Sequence, residues 1–386
     1  MRLPLPLLIT LTACASAPPL PSPPTLPTAR TERLESGLTV IFAPHLDSIG
    51  IFAVASPESE PLGQEGLTSL LVEFAMEGTE PHRDALPQAR ALALHATLSG
   101  HYDGAILGWH MQLSPSSDPF AAASLLLDIA FAPTFPGTTL SSRAERRRDL
   151  LLSDPEASRQ AAIRWAASLA LGHGRPLGLT PTDLALANVN RESLIRLHRR
   201  LLRPSRMVLV VPDLSSDLRM RLEAMVAPTE VPPLAPCRPP PGVRFVLASP
   251  SVPLRFFAQR VPGHGMPGRA PLDVILERMS LLPLSADYEL VDLGPEAALV
   301  YRALDEEAPR AELERAFEAA KRSLSQYPAR RGPSDPLSLA RNALFGAVDD
   351  HAAPDLDDLP QPVEVELTMP SPTSVVLPMD RPRCRP

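Results

Sequence analysis

The sequence predicts an α+β protein of two related domains, each an antiparallel-rich sheet with helices packed on one face, the second domain shortened. Three observations predict it. Segments such as Leu38–Phe42, Ile49–Ala55 and His101–Leu113 alternate apolar and polar residues, the pattern of half-buried strands. Between them lie stretches with apolar residues at helical spacing, among them Gly66–Thr79 and Pro119–Ala130. A proline-rich stretch, 227–241 (APTEVPPLAPCRPPP), then divides the chain into two blocks of ordinary domain size. The expected boundaries are 1–14, a leader; 15–29, a tether; 30–226, a first domain; 227–241, a linker; and 242–386, a shortened second domain with a proline-rich tail.

Composition narrows the classes. The chain has 386 residues, 44% of them hydrophobic, as in a globular protein. A net charge of -7 gives no reason to expect a nucleic-acid partner. Aromatic residues are few, so the core is expected to be rich in Leu, Ala and Val. The 48 prolines exceed average usage and gather at the N-terminus, between the domains and at the C-terminus. Three cysteines form neither a zinc-finger nor a disulfide framework. Cys237 and Cys384 either pair in an oxidising compartment or stand as two separate thiols.

Taken in order, residues 1–14 (MRLPLPLLITLTAC) carry Arg2 and then an apolar run too short to span a bilayer. The segment Leu11-Thr12-Ala13-Cys14 resembles a bacterial lipobox, in which the cysteine becomes the lipidated first residue of the mature chain. Ala15 rather than Asp follows it, which by analogy favours the outer membrane, facing the periplasm. Multiple acyl chains on Cys14 would give stable anchoring without a spanning helix; the alternative is an ordinary signal peptide with Cys14 incidental. Residues 15–29 are a proline-rich, extended tether that holds a folded body off the lipid.

Folding is expected from about Arg30. Glu32–Pro44 reads as a strand, a Ser36-Gly37 turn and a second strand, and Ile49–Ala55 as a third. After the helix at Gly66–Thr79, Ala85–Thr97 is Ala-rich and reads as helical, His101–Leu113 as one strand and Pro119–Ala130 as a strong helix. Helices follow at Ser141–Leu152, Glu156–Leu171 and Asn190–Leu202, then a strand at Met207–Val211. Beyond the linker, two strands flank Ser249-Pro250-Ser251 within Val243–Val261. A helix at Leu272–Met279, strands at Tyr288–Leu293 and Ala297–Leu304, a long helix at Arg310–Gln326 and a short strand at Val363–Thr368 complete the chain.

The stretch with chemical content is GLTSLLVEFAMEGT, Gly66 to Thr79. Leu67, Leu70, Leu71 and Phe74 form its apolar face, and Ser69, Val72, Glu73 and Met76 lie on the other. Its frame resembles the zinc helix of the pitrilysin/insulinase (M16) metallopeptidases, roughly G-L-A-H-x-x-E-H-x-x-F-x-G-T, with no gap from Gly66 to Gly78-Thr79. Two imidazoles four residues apart bind one Zn²⁺, and the carboxylate between them takes a proton from the metal-bound water. On this frame the first ligand falls on Ser69, the general base on Val72 and the second ligand on Glu73. The third ligand, in a helix reading E-R-x-x-V-x-x-E, starts from Glu145-Arg146 and falls on Leu152. Valine moves no proton, a serine hydroxyl is a poor zinc ligand, and leucine has no donor atom. Further matches run from Ser36-Gly37-Leu38-Thr39-Val40, through the loop Gly172–Gly178, to Arg203-Pro204-Ser205 and Asp213, so the resemblance is continuous from about Leu34 to Asp213.

The resemblance therefore implies a pseudo-metallopeptidase with no catalytic residue, no metal and no cofactor. Its expected role is to complete or position a peptide-binding chamber beside an active M16 paralogue. Peptide or unfolded polypeptide is the expected ligand, and the membrane is met through the lipid anchor. Two alternatives stand beside it: a live zinc endopeptidase with unusual ligands, and a stand-alone envelope binding lipoprotein. Other chemistries find no pattern. His95, His101, His110 and His173 make no H-x-x-x-H pair, Glu73 and Glu77 alone suit only weak binding of a hard cation, and no G-x-S-x-G elbow or phosphate loop is present. The arginine run Arg143–Arg148 reads as a solvated helix face. Tyr288, Tyr301 and Arg302 are candidates for the substrate-gripping Arg and Tyr that the family's second domain carries.

Overall fold

The computed structural model describes residues 29–55, 59–61, 64–153, 183–224, 254–279, 288–303, 335–345 and 363–367, with parts of two helical stretches, 160–172 and 315–322. The leader, tether and linker, and with them Cys14, Cys237 and Cys384, lie outside these residues, as does the first of the two strands expected around Ser249-Pro250-Ser251.

Strands β1 (Arg30–Arg33), β2 (Thr39–Phe42), β3 (Ser48–Val54), β4 (Ala96–Tyr102), β5 (Ile106–Leu113) and β6 (Met207–Val211) form one sheet in the order β1-β2-β6-β3-β5-β4. Every pairing is antiparallel except β2 with β6. Strand β6 (MVLVV) is buried throughout, as a central strand covered on both faces must be. Alternate residues of the sheet serve two cores. Val40, Ile51, Trp109 and Leu209 face helices α1 (Leu67–Ala75), α3 (Pro119–Phe131) and α6 (Arg191–Leu201). Ile41, Phe52, Val208 and Val210 face the other way.

Helix starts follow local chemistry. Asp118 accepts from the N–H groups of Phe120 and Ala121 at the start of α3, with Pro119 in the first turn. Asn190 and Ser193 form a reciprocal cap on α6. Helix α1 has no side-chain cap of its own. Gly66 sits there in the left-handed region (φ 94°), and the buried carboxylate of Glu60 accepts from Gly66 N–H (2.8 Å) and Thr68 N–H (2.7 Å). Beside the partly described helical stretch 160–172, this half also has α2 (Pro87–Ala93), α4 (Gly137–Ser153), α5 (Asp183–Asn188) and α7 (Ser216–Glu223).

Strands β7 (Leu254–Pro262), β8 (Tyr288–Asp292), β9 (Glu296–Ala303) and β10 (Val363–Leu367) form a second, antiparallel sheet in the order β10-β7-β9-β8. Val261, Ala297 and Leu299 pack on α8 (Arg269–Met279) and on Phe317. The opposite face, with Ala258, Ala298 and Val300, is covered by Ile163, Ala166, Ala167 and Leu171 from the first half of the chain. The exchange is reciprocal: α9 (Pro336–Phe345) crosses back and lays Leu337, Ala340 and Leu344 on the first sheet's outer face. A fully buried side chain among these, such as Ile163, contributes roughly 1.5–3 kcal/mol, and the partly buried Leu337 and Leu344 less. No helix among the described residues is long and apolar enough to cross a membrane.

Three expectations need correcting. The Ala-rich helix ends at Ala93, not Thr97, because residues from Ala96 pair with β5. The single strand expected at His101–Leu113 is the end of β4, a turn at Asp103-Gly104, and β5. In addition to the helices on one face, the first sheet carries α9 on the other, an element the sequence reading did not identify.

Candidate functional site

Helix α1 buries Leu67, Leu70, Leu71 and Phe74 against the sheet, which turns Ser69, Val72 and Glu73 towards β4 and α4. Val72 is itself buried. Its isopropyl group fits over Gly100 of β4, where a Cβ would lie 2.6 Å from Val72 Cγ1 and 3.1 Å from Met76 Cε. Its carbonyl accepts a hydrogen bond from Trp109 Nε1 (3.0 Å), and Trp109 is fully buried. The position that the zinc frame reserves for a general base is thus an apolar wedge pinned into the core.

Glu73 is the one residue on the frame able to bind a cation, and it is engaged. Its Oε1 lies 3.5 Å from Arg143 and its Oε2 3.1 Å from Arg147, both on α4. Glu77, one turn on, pairs with Arg143 at 2.7 Å. The arginine run expected as a solvated face therefore has two members turned onto α1. Arg143 and Arg147 are four residues apart, so one helix face presents both guanidinium groups. These ion pairs bridge the two helices that a shared metal would otherwise join.

Such a donor set does not fit zinc. Two fixed positive charges stand within about 4 Å of the single carboxylate, where they repel a divalent ion. Ser69 Oγ is buried without a hydrogen-bond partner. Leu152 lies in α4, in a part of the helix whose side chains fall outside the described residues, and its side chain has no ligating atom. Among the described residues no three His, Cys, Asp or Glu side chains gather in reach of one ion.

The histidines lie elsewhere. His101 bonds Asp103 at the β4–β5 turn (2.9 Å). His110, on β5, is held below its ordinary pKa, chiefly by burial. His95 sits in the turn before β4, and His173 falls outside the described residues. Tyr288 donates its hydroxyl to the Leu276 carbonyl (3.0 Å), a structural role, and the side chains of Tyr301 and Arg302 are likewise outside the described set.

Two further groups stand near α1, Glu60 from the loop before it and Tyr102 from β4. Glu60 caps the helix, as described. Tyr102, two residues beyond Gly100 on the same side of β4, is buried beside Thr68. Burial, and next the charge of Glu60, push the Tyr102 phenol well above its ordinary range, so it stays protonated. The strand expected at His101–Leu113 already contained Tyr102; its place beside Thr68 and Glu60 depends on how β4 lies against α1.

Compared with solved structures, the chain aligns over 83% of its length with a peptidase M16 inactive domain from Pseudomonas fluorescens, covering 87% of that chain, at 14% identity and a TM-score of 0.59. The fold is that of an M16 peptidase domain. A protease from Helicobacter pylori gives the same TM-score, 0.59, at 12% identity, over 78% of this chain and 81% of that one. The periplasmic protease PqqL from Escherichia coli gives 0.54 at 13% identity, over 83% of this chain but only 43% of its own. No protein-family profile matches the sequence, and no curated protein matches it. At these identities the M16-type likeness is one of backbone, and the site's chemistry has to be argued from its own side chains.

Proposed function

We propose that this chain is a non-hydrolytic protein of the M16 fold that completes or positions a peptide-binding chamber beside an active zinc-bearing paralogue. It is held at the bacterial cell envelope, on the outer membrane facing the periplasm, by a lipid on Cys14. One observation carries the non-hydrolytic reading: Glu73, the last potential ligand on α1, is clamped by Arg143 and Arg147, while Val72 is wedged over Gly100. A general base cannot act from an isopropyl group, and a carboxylate paired with two guanidinium groups is a poor host for a second cation. The likeness to an M16 inactive domain supports a fold kept for binding after the chemistry is lost. Peptide or unfolded polypeptide is the ligand class that the fold group suggests.

The test has two arms. The purified full chain, with and without added Zn²⁺, is incubated with a quenched-fluorescent peptide library, and no chelator-sensitive cleavage is expected. The same chain, cross-linked in envelope preparations, is expected to carry along a peptidase with an intact H-x-x-E-H motif. Chelator-sensitive cleavage by the chain alone would overturn the reading.

A further inference from the structure

We draw no further inference here: the strongest candidate, the buried polar side-chain cluster of Glu60, Thr68 and Tyr102 at the start of α1, belongs to the site already described.

Discussion

Lowering the pH from 7 to 5 should cost the fold about 2 kcal/mol through one side chain, His198. This histidine lies on α6, the helix that packs against α1. Its Nε2–H donates to the Ala130 carbonyl (2.8 Å) and its ring meets Phe135 edge-on at 5.8 Å. Burial drives its pKa from an ordinary 6.5 down to about 4. The sign follows from proton binding. Below pH 6.5 the unfolded chain takes up a proton at this site and the folded chain does not, so acid favours unfolding until about pH 4. At pH 5 the unfolded imidazole is almost wholly protonated, 1.5 pH units below its ordinary pKa, while the folded one remains about nine-tenths neutral. At 1.36 kcal/mol per unit the difference between pH 7 and pH 5 comes to about 2 kcal/mol. His198→Gln keeps an N–H donor for Ala130 and removes the titration. Urea unfolding of both proteins at the two pH values isolates the term, because the other histidines are common to both. The variant is expected to lose about 2 kcal/mol less than the parent. Equal losses would refute the reasoning and place a charged imidazole in the fold.

Three further perturbations probe the fold and the site. Arg341 of α9 bonds Asp292 of β8 at 3.0 Å and also Asp103 of the β4–β5 turn, joining the two sheets. Arg341→Ala should cost about 2–3 kcal/mol in urea unfolding, less than the full cost of breaking a buried pair, because Asp292 keeps Arg269 and Asp103 keeps His101. Burial raises the Asp103 pKa, but the His101 hydrogen bond, the Arg341 charge and the Ile106 N–H outweigh it and hold the carboxyl low. Its stabilisation is therefore full above the ordinary aspartate pKa and is lost as pH falls through the lowered one, and the Arg341→Ala protein should show a shallower decline in that window. Gly100→Ala would set a methyl group 2.6 Å from Val72, and a loss of about 1–3 kcal/mol is expected, relieved in the double variant with Val72→Ala. Glu73→Gln should cost only about 0.5–1 kcal/mol, and less at high salt, since the clamp is partly exposed, with 31% of the Glu73 side chain accessible.

Much of the first half was legible because its signals are local. The alternation in Leu38–Phe42 and Ile49–Ala55, the helical spacing in Pro119–Ala130 and the apolar run Met207–Val211 each specify an element from a few residues, and β2, β3, α3 and β6 lie where they place them. The β4–β5 hairpin was missed although Asp103-Gly104 is a strong turn dipeptide. There Asp103 accepts from the N–H groups of Ala105 and Ile106, and Gly104 takes φ 97°. The alanines before β4 favour helix, and strand pairing overrode that preference. Helix α9 was not identified because its partners, Ile41 and Val208 among them, lie over a hundred residues away in the first sheet. The site was half legible. Replacement of donors at Ser69, Val72 and Leu152 can be read letter by letter. That Arg143 and Arg147 close on Glu73 depends on how α1 and α4 lie together, which no spacing within either helix encodes.

The central claim is that the α1 frame no longer holds a metal. Elemental analysis of the purified full chain, dialysed against micromolar Zn²⁺ and then against metal-free buffer, tests it most directly. The account predicts well under one zinc ion per chain, unchanged by Glu73→Ala. One tightly held zinc per chain that disappears with Glu73→Ala would contradict it.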